Sequence, residues 1–170
     1  MNAGMKALLL ENLKKLRLST MIRNLESLIR QAKQEKLSYE EFLLNLSEVE
    51  VQTRQENGRK RRLREAKFPI LKPMETFKFD AAPELDVRLM KELSNCDFVK
   101  KSRNIIFVGK SGTGKTHLAT ALGMEACKQG VRTRFVTGCG LANELIEARD
   151  EKFLGRVVKR YAGYGLLIID

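Results

Sequence analysis

The sequence predicts an α/β chain: a parallel sheet with flanking helices, preceded by an all-α N-terminal region. Three observations predict it. Residues 1–67 contain no proline and repeat apolar residues at helical spacing. From residue 104 onward, short aliphatic runs alternate with longer amphipathic stretches. The first of those runs leads directly into a glycine-rich loop, GKSGTGKT, at residues 109–116.

Taken in order, Met21, Leu25, Leu28, Ile29 and Ala32 fall at i, i+4, i+7, i+8 and i+11, one face of a helix. Ser38 and Glu41 then form S-x-x-E ahead of Phe42, Leu43, Leu46 and Val49, a capping box opening a further helix. That helix continues into NGRKRRLREAKF, where Gly58 weakens it. Residues 68–104 hold all three prolines, Pro69, Pro73 and Pro83, and read as an extended linker followed by a short helix near residues 87–100. Next come a buried strand in NIIFVG (104–109), a helix stopped by Gly130, and a strand in RTRFVT. Two helices follow, GLANELIEARD and EKFLGRVVKRYAG, and a last strand, LLIID, ends on Asp170. The expected organisation is a helical domain at 1–67, a linker and lead-in helix at 68–104, and a nucleotide-binding α/β part at 105–170.

Composition excludes several classes of function. No apolar run approaches the ~20 residues of a membrane span, and charges interrupt the leucine-rich start before a signal-peptide core can form. Three cysteines without a C-x-x-C and a single histidine cannot make a zinc site or a paired disulfide framework. Reduced, packed thiols in a cytoplasmic protein are the expectation. Net charge is +11, and residues 1–67 carry 15 basic and 9 acidic side chains. Such a surface favours a polyanion, nucleic acid above all.

The loop at 109–116 matches G-x-x-x-x-G-K-[ST] in full, with an aliphatic run before it and a helical pattern after it. Gly109, Gly112 and Gly114 let the backbone turn so that its N–H groups, with those of Lys110, Ser111 and Thr113, reach phosphate oxygens. The helix N-terminus adds a positive dipole. Lys115 supplies a mobile cation for the β- and γ-phosphates, and the Thr116 hydroxyl a ligand for Mg²⁺. ATP with Mg²⁺ is the expected cofactor. An acid at the tip of a neighbouring strand completes such a Mg²⁺ site, and four aliphatics followed by Asp170 supply it. Lys115 and Asp170 are the catalytic candidates. His117 is grouped with the nucleotide-binding residues by position, although a surface or packing role suits it better than acid–base work. Phe77 and Phe79 either stack on adenine or dock the linker onto the core. Arg59, Lys60, Arg61, Arg62, Arg64 and Lys67 crowd one short stretch. The run is either a solvated face or a DNA contact, and the overall charge favours the second.

The chain resembles the IstB-type ATP-binding helpers of insertion-sequence transposition and their relatives, the DnaC-like bacterial helicase loaders. The resemblance covers LKKLRLSTM, LSYEEFLLNLSEVEVQTRQENGRKRRLREAKFP, TFKFD, GKSGTGKTHLATALGMEACKQG and LLIID. It implies a P-loop NTPase of the AAA+ type that forms homo-oligomers, binds duplex DNA and recruits or stimulates a transposase. By position, residues 109–116 correspond to Walker A and Asp170 to Walker B. A loader gripping a replicative helicase through residues 1–67 is the alternative, and an inactive fragment of either is a third. The family pattern continues after Walker B with a water-polarising Glu, sensor residues and an arginine finger. Their absence from this chain gives the expectation of impaired hydrolysis, and of a last strand left unsheltered and prone to aggregate.

Overall fold

A computed structural model describes residues 3–170. The chain divides into two compact units, Met1–Gly58 and Arg59–Asp170. The sequence reading places its boundary further on, at residue 67; the division instead falls inside a helix.

The first unit is built from α1 (Ala3–Lys15), α2 (Ser19–Glu35) and the leading part of α3 (Tyr39–Ala66). Leu13, Leu25 and Leu46 are its buried centre, and Met21, Leu28 and Ile29 pack against them, so the predicted helical stripe is the core face. The capping box forms as its spacing requires. Glu41 N–H donates to Ser38 Oγ (3.2 Å), and Ser38 N–H donates to the Glu41 carboxylate (2.7 Å). α3 then runs uninterrupted through Gly58. The N-cap of α2 is Leu18, whose side chain can accept nothing. Glu50, far along α3, supplies the missing acceptor: its buried carboxylate takes the N–H of Thr20 (2.8 Å) and of Met21 (3.0 Å).

In the second unit the predicted lead-in helix is two short ones, α4 (Val87–Ser94) and α5 (Asp97–Lys100), separated at Cys96 in the left-handed region (φ 55°). α6 (Lys115–Lys128) follows the glycine-rich loop, and Gly130 (φ 93°) turns the chain after it. β1 (Thr133–Val136) and β2 (Leu166–Ile169) pair in parallel, Thr133 opposite Leu166 and Val136 opposite Ile169. α7 (Gly138–Asp150) and α8 (Leu154–Ala162) make the crossover between them. α6 packs on this pair at close range. A Cβ on Gly123 would stand 2.6 Å from Ile168 Cδ1 and 2.8 Å from a Phe68 ring carbon, so a larger residue there requires these side chains to shift.

The sequence predicts a third strand at 104–109, and here the structure differs. Ile105 and Phe107 do pack inward, against the cluster of Met90, Leu118 and Leu122. Ile106 and Val108 point outward, 82% and 90% exposed. The alternation of a strand is present, but among the described residues no backbone hydrogen bond joins this segment to β1 or β2. A ladder needs a partner as well as a pattern. No helix among the described residues is long and apolar enough to cross a membrane.

Candidate functional site

The chain enters the loop from the extended run at 104–108 and leaves it as α6. Gly112 and Gly114 take φ of 81° and 89°, the region where a side chain is strained, so two of the three motif glycines are demanded by the backbone itself. Thr113 Oγ1 donates to Lys110 O (2.9 Å) and closes the loop on itself. Among the described residues, no backbone carbonyl accepts from the amides of Lys110, Ser111, Gly112 or Thr113. The loop thus presents a row of unspent donors next to the N-terminus of a 14-residue helix, an arrangement suited to an anion. The Lys115 ammonium donates to Gly109 O (3.0 Å) and Lys110 O (2.7 Å), so the cation folds back over its own loop.

The first turn of α6 also holds Thr116. Its hydroxyl reaches across 54 residues of sequence to Asp170, at 2.8 Å and 3.1 Å from the two carboxylate oxygens. Asp170 is placed by β2 and held by its own backbone: its N–H donates to Val136 O (3.0 Å) and its carbonyl accepts from Gly138 N–H (2.8 Å). A hydroxyl and a carboxylate within one hydrogen bond of each other, beside the glycine-rich loop, are hard oxygen donors of the kind Mg²⁺ takes. Mg²⁺ is usually held by one or two protein oxygens plus water and phosphate. The Thr116 and Asp170 oxygens suit such a site; among the described residues there is no group of three or more His, Cys, Asp or Glu that could hold a metal.

Each predicted residue thus has a location. Residues 109–116 and Asp170 come together. The His117 ring meets the segment around Pro73 and Thr76, its Nε2 3.1 Å from Pro73 O and 3.2 Å from Thr76 Oγ1. Phe77 and Phe79 join the cluster around Met90, Leu118 and Leu122, which is the docking alternative for the linker. The basic run divides. Lys60, Arg61, Arg64 and Lys67 are exposed. Arg62 is half-buried, and its Nε–H donates to Cys127 O (2.8 Å) at the C-terminal end of α6. Arg59 is half-buried as well. Spacing along α3 could have separated these two sets, because Arg59, Arg62 and the fully buried Ala66 lie on one side of the helix. The contact of Phe77 with Gly114, by contrast, leaves no local signal.

Comparison with known proteins places the chain in a family. Residues 11–170 match the family model described as IstB-like ATP binding protein. The chain is 35% identical over 166 residues to a protein of Geobacillus stearothermophilus named as an ATP-binding protein of insertion sequence IS5376. That match takes in 98% of this chain and 66% of the relative. It is 35% identical over 158 residues to the corresponding protein of insertion sequence IS21 from Pseudomonas aeruginosa, with 93% and 60% covered. A third relative, of insertion sequence IS232 from Bacillus thuringiensis subsp. berliner, is 33% identical over 159 residues, with 94% and 64% covered. The chain therefore spans less than two-thirds of the length of these relatives. With a family match over nearly all of its residues, this chain belongs to the family of IstB-like ATP-binding proteins.

Proposed function

We propose that the chain binds ATP with Mg²⁺ at residues 109–116 and serves as the ATP-binding, DNA-contacting helper of an insertion-sequence transposase. The observation that carries the nucleotide part is the meeting of Thr116 with Asp170 beside a loop whose amides have no backbone acceptor. In this reading the loop amides and Lys115 bind the phosphates, and Thr116 and Asp170 hold the metal, directly or through its water. Held by Thr116 and Asp170, Mg²⁺ would supply positive charge to offset that of the phosphates. Lys115 exchanges its two carbonyl contacts for phosphate oxygens. The partners are duplex DNA, a transposase and, in the working assembly, further copies of the same protein. The names of the relatives support the transposition part, and the exposed basic residues support the DNA part.

The test is titration of the folded chain with a fluorescent ATP analogue. Lys115→Ala removes a charged hydrogen-bond donor, each of which is worth about 1.5–3 kcal/mol, so binding should weaken about tenfold or more. Equal affinity for both proteins would end the phosphate-loop assignment. DNA contact is tested separately through salt. Neutralising roughly four phosphates gives a slope of log K against log salt near −3.6. Reversing the charge of Lys60, Arg61, Arg64 and Lys67 together should flatten that slope. An unchanged slope would leave the run as a solvated face.

A further inference from the structure

We propose that His117 is a positioning residue of the nucleotide site, fastening residues 73–79 as a strap across Gly114 without touching the nucleotide. The proposal rests on the reading of residues 109–116 as a nucleotide loop. The fastening is specific in chemistry. Pro73 O, 3.1 Å from Nε2, can only accept, so Nε2 carries the proton and donates it. Thr76 Oγ1 donates its own proton to the same carbonyl (2.8 Å), which leaves its oxygen to accept from Nε2–H at 3.2 Å. One imidazole N–H thus pins both ends of the turn at Met74–Thr76.

The next residue in the strap does the pressing. The Phe77 ring meets the His117 ring edge-on (centroids 5.2 Å apart, 76°) and the Phe79 ring likewise (5.0 Å, 68°). Phe77 Cε2 would lie 2.6 Å from a Cβ on Gly114, so the ring rests on the glycine backbone itself. Gly114 is the N-cap of α6 and precedes Lys115. The strap is therefore clamped on both sides of Lys115 and Thr116, on Gly114 before them and on His117 after them. Lys115 must leave Gly109 O and Lys110 O when a phosphate arrives. A clamped Gly114 lets it do so without the first turn of α6 losing its shape. Preorganisation of this kind lowers the ordering cost of binding.

The experiment uses the whole chain, with fluorescent ATP analogue titration and amide hydrogen exchange of residues 74–79 read on the same samples. His117→Ala should weaken analogue binding about fivefold and speed exchange in the strap by a similar factor, the scale of one lost hydrogen bond. Exchange in β1 and β2 should stay unchanged. His117→Gln, which can return an N–H near the position of Nε2, should restore both. Thr76→Val, at an exposed position that folding tolerates, should move both readouts in the same direction by about twofold. Faster strap exchange with wild-type affinity in His117→Ala and Thr76→Val would overturn the proposal, as would strap exchange indifferent to both. A wild-type chain that binds no analogue would overturn the nucleotide reading and the proposal with it. Binding that ignores His117 overturns the proposal alone.

Discussion

Replacing Glu50 by alanine removes the only acceptor that α2 has at its N-terminus among the described residues. The carboxylate takes Thr20 N–H (2.8 Å), Met21 N–H (3.0 Å) and Arg54 Nε–H (2.8 Å), and Glu50 and Thr20 are each 4% exposed. Leu18, at the N-cap, cannot substitute. A buried donor left without a partner costs about 1–3 kcal/mol. Thr20 counts nearly in full, and Met21, which is half-buried, counts in part. Arg54 is exposed and adds little. The sum for Glu50→Ala is about 2–4 kcal/mol; Glu50→Gln should cost less, because Thr20 N–H and Met21 N–H share one carboxylate oxygen and an amide oxygen in its place can accept both. In a unit of this size each kcal/mol lowers the midpoint by about 4–8 °C. Thermal unfolding followed by far-UV circular dichroism, with hydrogen exchange in α2, measures it.

The pH dependence is a second check on the same group. Burial pushes the Glu50 carboxyl up, but hydrogen bonds from Met21, Arg54 and Thr20 outweigh it and hold the pKa below the ordinary glutamate value. A depressed carboxylate stabilises the fold fully above its unfolded pKa, and that contribution is lost as pH falls through the lower folded value. The gap between wild type and Glu50→Ala should therefore be widest near neutrality and close as pH drops below about 4. A variant within about 0.5 kcal/mol of wild type, well under the cost of one buried unpaired donor, would refute the reasoning. So would a gap that widens in acid.

Gly123→Ala should cost about 1–3 kcal/mol by pushing α6 off β2, read from chemical denaturation; a neutral result would mean Ile168 and Phe68 swing aside freely. Arg62→Ala loses a charged cap on Cys127 O and should destabilise by about 1–2 kcal/mol, while leaving the salt slope of any DNA binding where it was. A slope reduced by a full unit would place Arg62 on phosphate instead. Burial pushes the Cys96 thiol up to about 11 and raises Cys127 in the same direction, whereas Cys139 is exposed. Maleimide at pH 7.5 should thus label the folded chain at Cys139 well before the other two, as counted by peptide mass spectrometry.

The local features were legible in the residues themselves. Ser38 and Glu41 cap α3 because both partners lie within one turn, and Gly112 and Gly114 stand where the glycine-rich loop takes positive φ. The core stripe of α2 follows from the 3.6-residue repeat alone. Four aliphatics ahead of an acid mark β2 and the residue at its tip, Asp170, whose carboxylate meets the Thr116 hydroxyl. What the sequence by itself determined, then, was everything set within about one helical turn or one strand. Only the tertiary structure decided the rest. Arg62 turned to Cys127 O and not to solvent because of the face of α3 that meets α6. Glu50 became the cap of a helix 30 residues away, and Phe77 came to rest on Gly114. The run at 104–109 kept a strand's alternation without joining a ladder, because backbone pairing is satisfied by a neighbour in space and not by any residue in the run.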